Sequence, residues 1–328
     1  MAKTMKAAIY QGPESITTEQ VNLPDVPEGW CLMKVSYCGI CGTDLNIYGG
    51  GHPRATAPLI MGHELAGHIY DHPSIADGRA VTVNPLLYCG ECKPCREGIP
   101  HVCESLRLVG IDRDGGMAEY VTVPNEQVIP LPEGMSLKAG ALVEPFAVAV
   151  HSVRESRFKG GDEVTVFGAG PIGLCISLVL QFFGAKRVTV VEVNQFRREL
   201  AERLGFHTVD PATATIPKND LVFDCAAHPS VAERLVDVTH VKGEIMLIGT
   251  YKKPTPLDLQ NVNFKELTLK GARVYTDKDF TVAAALLHQH EEALQLITNV
   301  EPVEQTARLF KELKAGGDMV KALISFSE

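Results

Sequence analysis

Cys89, Cys92, Cys95 and Cys103 fall within fifteen residues in the pattern C-x-x-C-x-x-C-x(7)-C. Four thiolates this dense match the closed tetrahedral shell of a structural zinc, which holds a lobe in shape and does no chemistry. A second set is dispersed: Cys41 in Gly39-Ile40-Cys41-Gly42-Thr43-Asp44, His63 and Glu64 in Gly62-His63-Glu64, and Glu144 in Val143-Glu144-Pro145. A thiolate, an imidazole and carboxylates from separate segments suit a catalytic zinc that keeps an exchangeable position. Each of these residues alone is more often a core or surface residue, and Cys38 offers a competing thiol. The zinc reading depends on the whole set occurring together with a third motif.

That motif is Gly168-Ala169-Gly170-Pro171-Ile172-Gly173, which follows the strand-like Val164 to Phe167 and opens a helical pattern. Glu192 stands nineteen residues after Gly173, at the end of the next strand-like run. Strand, glycines, helix and acid all lie where a dinucleotide needs them. Gly168 is expected to make the tight turn, Gly170 to admit the pyrophosphate, and Gly173 to pack helix on sheet. The helix start at Pro171 and Ile172 then receives the phosphate charge. Glu192 is expected to accept hydrogen bonds from the adenosine ribose and to repel a 2′-phosphate, favouring NAD over NADP. Arg197 would offset that repulsion if it turned toward the ribose. Ile248, closing the strand-like Ile245 to Ile248, is a further expected cofactor contact.

The elements that must position these residues change character along the chain. Up to about Glu144 the text is rich in Gly and Pro, with short apolar runs such as Val81 to Val83 and Tyr120 to Val123, which reads as an irregular, mainly β domain. From about Gly160 strands alternate with helical patterns: Val164 to Phe167, Ile172 to Phe183, Val188 to Val191, Arg197 to Leu204, Leu221 to Cys225 and Val231 to Val238. Such alternation marks a doubly wound α/β sheet. After Gly271 amphipathic segments at Phe280 to Leu287 and Thr306 to Leu313 lead to an apolar strand at Ala322 to Phe326.

Composition bounds the function classes. The chain of 328 residues is 45% hydrophobic and 22% charged, ordinary for a globular protein of two domains. A net charge of −9 opposes a phosphate backbone, so no nucleic-acid partner is expected. The longest apolar stretches are too short or too interrupted to span a bilayer, so no membrane role is expected. The start, Met1 to Lys6, runs into the strand-like Ala7 to Tyr10 without a secretory apolar region, and a cytoplasmic location is expected. A reducing compartment also makes metal binding a better use of clustered cysteines than disulfides.

With these motifs, and with Asp114-Gly115-Gly116-Met117-Ala118-Glu119-Tyr120, the chain resembles the zinc-containing medium-chain dehydrogenase family. Within it the likeness is to the sorbitol, butanediol, threonine and sugar-acid dehydrogenases, over nearly the whole length. The resemblance implies a GroES-like, mainly β catalytic domain over residues 1–149 and a Rossmann NAD-binding domain over 150–272. Residues 273–328 would return to complete the catalytic domain. It further implies Cys41, His63 and Glu64 as ligands of a catalytic zinc, with Glu144 as fourth ligand or reaching the metal through water. Cys38, Cys31, Cys175 and Cys225 read as packing residues. A homo-oligomer, tetramer or dimer, is implied by the same likeness.

The expected reaction is hydride transfer between a secondary alcohol, such as a polyol or sugar acid, and NAD. An alcohol held by zinc is acidified as zinc-bound water is, and Thr43, two residues after the thiolate, would take its proton. Asp44 would orient the backbone or a ligand. Asn46 stands where many relatives carry His and cannot ionise, so the last relay step departs from the family pattern. Arg273, in Gly271-Ala272-Arg273, either pairs with a substrate carboxylate or lies on the surface. The alternative from another class is a noncatalytic dinucleotide-binding protein, but such a protein would be expected to lose ligands that this chain keeps.

Overall fold

Turn residues and short apolar runs break the first stretch of chain into β1 (Thr4–Gly12), β2 (Ser15–Asn22), β3 (Trp30–Gly39), α1 (Gly42–Tyr48), β4 (Leu59–Ile60), β5 (Glu64–Tyr70), β6 (Ala80–Val83), β7 (Leu86–Leu87), α2 (Lys93–Arg96), β8 (Arg107–Leu108), β9 (Tyr120–Pro124), β10 (Val128–Pro130) and α3 (Leu137–Ala141). Helix α4 (Val143–Glu155) leads into β11 (Glu163–Phe167), α5 (Pro171–Phe182), β12 (Arg187–Val191), α6 (Gln195–Arg203), β13 (His207–Val209), β14 (Asn219–Asp224), α7 (Pro229–Val238), β15 (Thr239–Leu247), α8 (Leu259–Phe264) and β16 (Thr268–Gly271). The chain closes with α9 (Asp277–Gln289), β17 (Ile297–Pro302), α10 (Thr306–Lys314) and β18 (Lys321–Ser325). This computed structural model describes residues 4–326. It divides into two compact units, Met1–Glu144 with Thr276–Glu328, and Pro145–Tyr275.

In the first unit one path of strands runs β10, β6, β5, β3, β18, β17, with β9 also pairing β3. Strand β3 lies between β5 and β18, antiparallel to both. The alternate residues Cys31, Met33 and Val35 of β3 are fully buried, the period of two that a strand imposes. Because β18 comes from the far end of the chain, the unit is complete only when both ends meet on β3.

The second unit is a six-stranded parallel sheet in the order β13, β12, β11, β14, β15, β16. The order reverses at β11, the point where a doubly wound sheet opens a crevice at its strand ends. Helix α5 starts at Gly170 with Pro171 in its first turn, where a missing N–H costs nothing, and buries Gly173 to Leu180. Apolar side chains of β11, β12, β14 and β15 meet Leu235, Val236 and Val238 of α7 in one core.

Several elements differ from the sequence expectation. Strand β15 begins at Thr239, well before Ile245; the sequence reading missed its early part because His240, Val241 and Lys242 are all exposed there and no buried-exposed alternation shows. Short β13 and β16, and the polar β2 and β17, have too few buried apolar residues to announce themselves. No helix among the described residues is long and apolar enough to cross a membrane.

Candidate active site

Strand β3 ends at Gly39, and the chain turns through Ile40 into Cys41, which caps α1. Asp44 in the first turn of α1 accepts the Cys41 N–H at 2.9 Å, which fixes the cysteine backbone. Asp44 is fully buried, and burial pushes its carboxyl above the usual range. His63 and Glu64 arrive at the start of β5, where Glu64 pairs with Gly39. The segment around Gly116 backs this turn: Gly116 N–H donates to the Gly62 carbonyl at 2.8 Å, and Ile60 N–H donates to Asp114 at 2.9 Å.

Ligand atoms of Cys41, His63 and Glu64 lie within 4.8 Å of one another. Cys38, fully buried with its thiol pushed well up by burial, is not in that group. Burial alone would lower the His63 pKa, but Asp44, Cys41 and Glu144 together hold it well above the ordinary imidazole value. The His63 Nδ1 and Asp44 Oδ1, 3.7 Å apart, are buried polar atoms with no hydrogen-bond partner. A buried imidazole facing a thiol and two carboxyl groups is a place where a dication would satisfy the field. Soft sulfur, imidazole nitrogen and carboxylate oxygen are donors that zinc accepts together. The donor set fits the metal.

Glu144 stands apart from this cluster. Its charge reaches His63, and it is buried in the first turn of α4, but its oxygens are not among the atoms within 4.8 Å. Thr43 and Asn46 are both half-buried on α1. Asn46 Oδ1 packs so closely on Gly51 that a Cβ there would sit 2.6 Å from it.

Lys321 is the residue that sequence reading missed. Its Nζ lies 2.7 Å from both Glu64 oxygens and 3.2 Å from the Ile40 carbonyl, and its side chain is 2% exposed. The available signal was a lysine opening the otherwise apolar Lys321-Ala322-Leu323-Ile324.

The four cysteines of the lobe come together locally. Cys92 caps the short α2, which delivers Cys95, and Cys103 follows a 3₁₀ turn at Pro100–Val102. The sulfur separations are 3.4 Å for Cys92 and Cys95, 3.5 Å for Cys89 and Cys103, 3.8 Å for Cys92 and Cys103, and 4.0 Å for Cys89 and Cys95. Four zinc–sulfur bonds of about 2.3 Å make a tetrahedron with edges of about 3.8 Å. The lobe fits zinc in size. Backbone amides of Glu91 and Cys92 lower the Cys89 thiol to about 6, while burial and the neighbouring sulfurs push Cys95 up to about 12.

In the second unit Gly168 adopts φ +94°, left-handed backbone that glycine takes without strain. A Cβ on Gly173 would come within 1.9 Å of the Gly168 carbonyl, while the space at Gly170 is open. Glu192 is buried at the end of β12, and its carboxylate accepts Ala169 N–H at 2.7 Å and Asn194 N–H at 2.9 Å. The acid thus ties the glycine loop to the strand end. Arg197 has its backbone N–H capped by Asn194, whereas Arg198 engages the Glu192 and Val193 carbonyls and Asp210. Val193, beside Glu192, is 71% exposed. Ile248 is half-buried just past β15, and Arg273 is exposed past β16. Of the cysteines expected as packing residues, Cys31, Cys38 and Cys175 are buried, and Cys225 is only half-buried.

Residues 27–133 match the model of the alcohol dehydrogenase GroES-like domain, and residues 171–289 match that of the zinc-binding dehydrogenase domain. The chain is 34% identical to a 2-dehydro-3-deoxy-L-galactonate 5-dehydrogenase of Pseudoalteromonas atlantica, over 98% of each chain. An NADH complex of the Escherichia coli alcohol dehydrogenase RspB superposes with a TM-score of 0.91 at 28% identity, covering 98% of this chain and 99% of that one. An NADP complex of a zinc-binding dehydrogenase from Sinorhizobium meliloti superposes at 0.92 and 29% identity, covering 99% and 100%.

Proposed function

The chain belongs to the zinc-dependent medium-chain alcohol dehydrogenase family, and from that premise we propose that it oxidises a secondary hydroxyl of a sugar acid or polyol, passing hydride to NAD. It is a zinc-dependent, NAD-linked oxidoreductase. The observation that carries the reading is the gathering of Cys41, His63 and Glu64 ligand atoms within 4.8 Å. The sugar-acid choice is supported by the relative that shares 34% identity over 98% of the chain.

Cys41, His63 and Glu64 would hold the catalytic zinc, with Glu144 reaching it directly or through water, and the four lobe cysteines would hold a structural zinc. When bound, the catalytic zinc acts as a Lewis acid that lowers the pKa of the substrate hydroxyl. Asp44 keeps Cys41 in place through its backbone N–H. Thr43, in the first turn of the same helix, takes the hydroxyl proton and passes it to water or a cofactor hydroxyl. Asn46 cannot ionise and orients water at most.

In the nucleotide unit Gly168, Gly170 and Gly173 shape the loop, and the start of α5 at Pro171 and Ile172 receives the pyrophosphate. Glu192 binds the ribose hydroxyls with the lone pairs left after Ala169 and Asn194. Held by two backbone amides, it cannot swing away from a 2′-phosphate, so NAD is preferred over NADP. Ile248 contributes an apolar contact, and Arg197 would offset the repulsion only if its side chain turned toward the ribose. A similar dehydrogenase from Sinorhizobium meliloti is bound to NADP, so the fold admits either cofactor, and Glu192→Ala should narrow the preference. Equal efficiency with both cofactors in the unaltered enzyme would refute this assignment.

Arg273 pairs with the substrate carboxylate. Arg273→Ala should therefore raise KM for an aldonate and leave a diol unaffected. The enzyme forms a dimer or tetramer, supported by edge strand β16 and by Leu259 and Phe264 of α8, 68% and 71% exposed. Nine cysteines, none in a disulfide and five of them assigned to zinc, fit a cytoplasmic setting.

The deciding experiment follows NADH absorbance with polyols, aldonates, diols and threonine, on enzyme of measured zinc content. Turnover of an aldonate or polyol is expected. No NADH from any secondary alcohol, with zinc bound, would leave the noncatalytic dinucleotide-binding alternative.

A further inference from the structure

The chain leaves α1 through a strap that is tied down on both sides of His52. Before it, Gly50 and Gly51 donate their N–H groups to the Ile47 and Asn46 carbonyls at 2.8 and 2.9 Å, and the Asn46 side chain closes over Gly51. After it, the Arg54 guanidinium makes a bidentate pair with Asp112, its two nitrogens 2.9 and 3.1 Å from the two carboxylate oxygens. Asp112 is fixed in turn by the Leu108 N–H at 2.9 Å. His52 is therefore held in one place.

Its Nδ1 accepts two backbone N–H groups, from Arg54 at 3.3 Å and from Ala55 at 3.2 Å. A ring nitrogen that accepts cannot also carry the proton, so the proton of the neutral imidazole is on Nε2. The ring is a fixed donor. It is half-buried, and among the described residues nothing accepts from Nε2. Burial lowers the His52 pKa most, Arg54 and the charge of His63 lower it further, and Asp112 opposes them. Solvent screening confines such effects to near neighbours, so the ring stands close to the group formed by Cys41, His63 and Glu64. An imidazole kept neutral, with its basic nitrogen already engaged, is a poor proton acceptor and a good hydrogen-bond donor.

We propose that His52 is a substrate-binding residue of the open site: its Nε2–H donates a hydrogen bond to a second substrate oxygen, the hydroxyl on a carbon next to the reacting one. This rests on the reading of the chain as an oxidoreductase of polyols and sugar acids. The bond selects substrates by what they carry. A polyol, an aldonate or a vicinal diol presents the accepting oxygen, whereas a plain secondary alcohol leaves the donor to water. Because the ring is only half-buried, water replaces the missing oxygen in part, and the discrimination should be about tenfold, the size of one neutral hydrogen bond. A merely structural histidine would cap the strap through Nδ1 and favour no substrate over another.

Two variants separate the two edges of the ring. In His52→Asn the amide oxygen can stand where Nδ1 does and keep the cap, but nothing reaches the Nε2 position. In His52→Gln the amide nitrogen can reach that position and donate, but the cap is lost. With NAD, kcat and KM are measured for butanediol with adjacent hydroxyls and for sec-butanol, beside zinc content and thermal unfolding. His52→Asn should lower kcat/KM for the diol by about tenfold, mainly through KM, and should affect sec-butanol far less. His52→Gln should recover most of the diol efficiency. The pH profile of kcat should keep its shape in both, because this imidazole transfers no proton.

A diol efficiency in His52→Gln no better than in His52→Asn overturns the proposal, as does an equal loss on both alcohols or the disappearance of a limb of the pH profile. The tautomer is read without turnover, by NMR of the ring nitrogens, with the His52 signals assigned by their absence from His52→Asn. An Nε2–H imidazole is expected at neutral pH, and an Nδ1–H or charged ring also overturns the proposal. Zinc-loaded wild type that forms no NADH from either alcohol would instead overturn the dehydrogenase reading itself, so the two failures are separate.

Discussion

The two clusters of metal donors in this chain are built on opposite plans. The lobe draws four sulfurs from fifteen consecutive residues, and Cys89, Cys92 and Cys95 remain partly exposed to solvent. The other cluster draws sulfur, nitrogen and oxygen from separate segments, buries His63 and Glu64, and surrounds them with Asp44, Glu144 and Lys321. A closed shell of like ligands needs only a local turn to close it. An open site must hold its donors without filling the last position, which takes strands, a helix cap and a buried ion pair from across the fold. The difference supports the proposed division, in which the lobe serves shape and the mixed cluster serves reaction.

The largest effect should come from Cys41→Ser. A hydroxyl is a far poorer zinc ligand than a thiolate, so this variant should lose one of two zincs per chain and essentially all activity, while the lobe keeps its metal. Elemental analysis beside an NADH assay reads both. Cys103→Ser should do the reverse: one zinc is lost from the lobe, stability falls by about 2 kcal/mol or more, and folded protein at low temperature still turns over. Thermal unfolding followed with and without chelator measures it. If Cys103→Ser removes activity as completely as Cys41→Ser while the enzyme remains folded, the division into shape and reaction is wrong.

Next in size is Thr43→Val. The hydroxyl sits two residues after Cys41, in the helix turn that Asp44 fixes, and loss of such proton-transfer help typically costs a hundredfold or more in turnover. Asn46→Ala should cost much less, since its amide packs against Gly51 and cannot carry a proton. Turnover measured against pH for both variants separates relay from packing. Equal losses would move Asn46 into the machinery and sharpen the open site at the expense of this relay.

What the sequence made legible follows the same division. The lobe could be read because its whole geometry lies in one spacing, and the glycine loop because strand, turn and helix are contiguous. Cys41, His63 and Glu64 were legible only as a set, read together with the glycine motif and the family pattern, since 21 residues lie between Cys41 and His63 and nothing local joins them. The ion pair was not legible at all. Lys321 and Glu64 are 257 residues apart and meet because β18 and β5 flank β3, a fact of sheet order rather than of any motif. Strand β15 was shortened in the reading because solvent-facing His240, Val241 and Lys242 break its alternation. Glu144 illustrates the limit from the other side: the motif named it with the ligands, whereas its carboxylate stands outside the group of atoms within 4.8 Å.

The smallest expected effect tests which thiol belongs to the open site. Cys38 and Cys41 are close in sequence, both are free, and a slip of one turn would exchange them. Their surroundings differ. Cys38 is on β3, fully buried, with its thiol pushed well above the ordinary range by burial and by the charges of Asp44 and Glu64. That environment disfavours thiolate, the form zinc binds. Cys41 caps α1, is half-buried, and brings its sulfur into the group with His63 and Glu64. Cys38→Ala should therefore keep two zincs and most of the turnover. It should lose only about 1 to 2 kcal/mol of stability, because a small buried sulfur leaves a small cavity. Zinc content, turnover and unfolding on one preparation decide it. If Cys38→Ala loses a zinc while Cys41→Ser keeps both, the loop has been read in the wrong register and the open site is centred on β3 rather than on the start of α1.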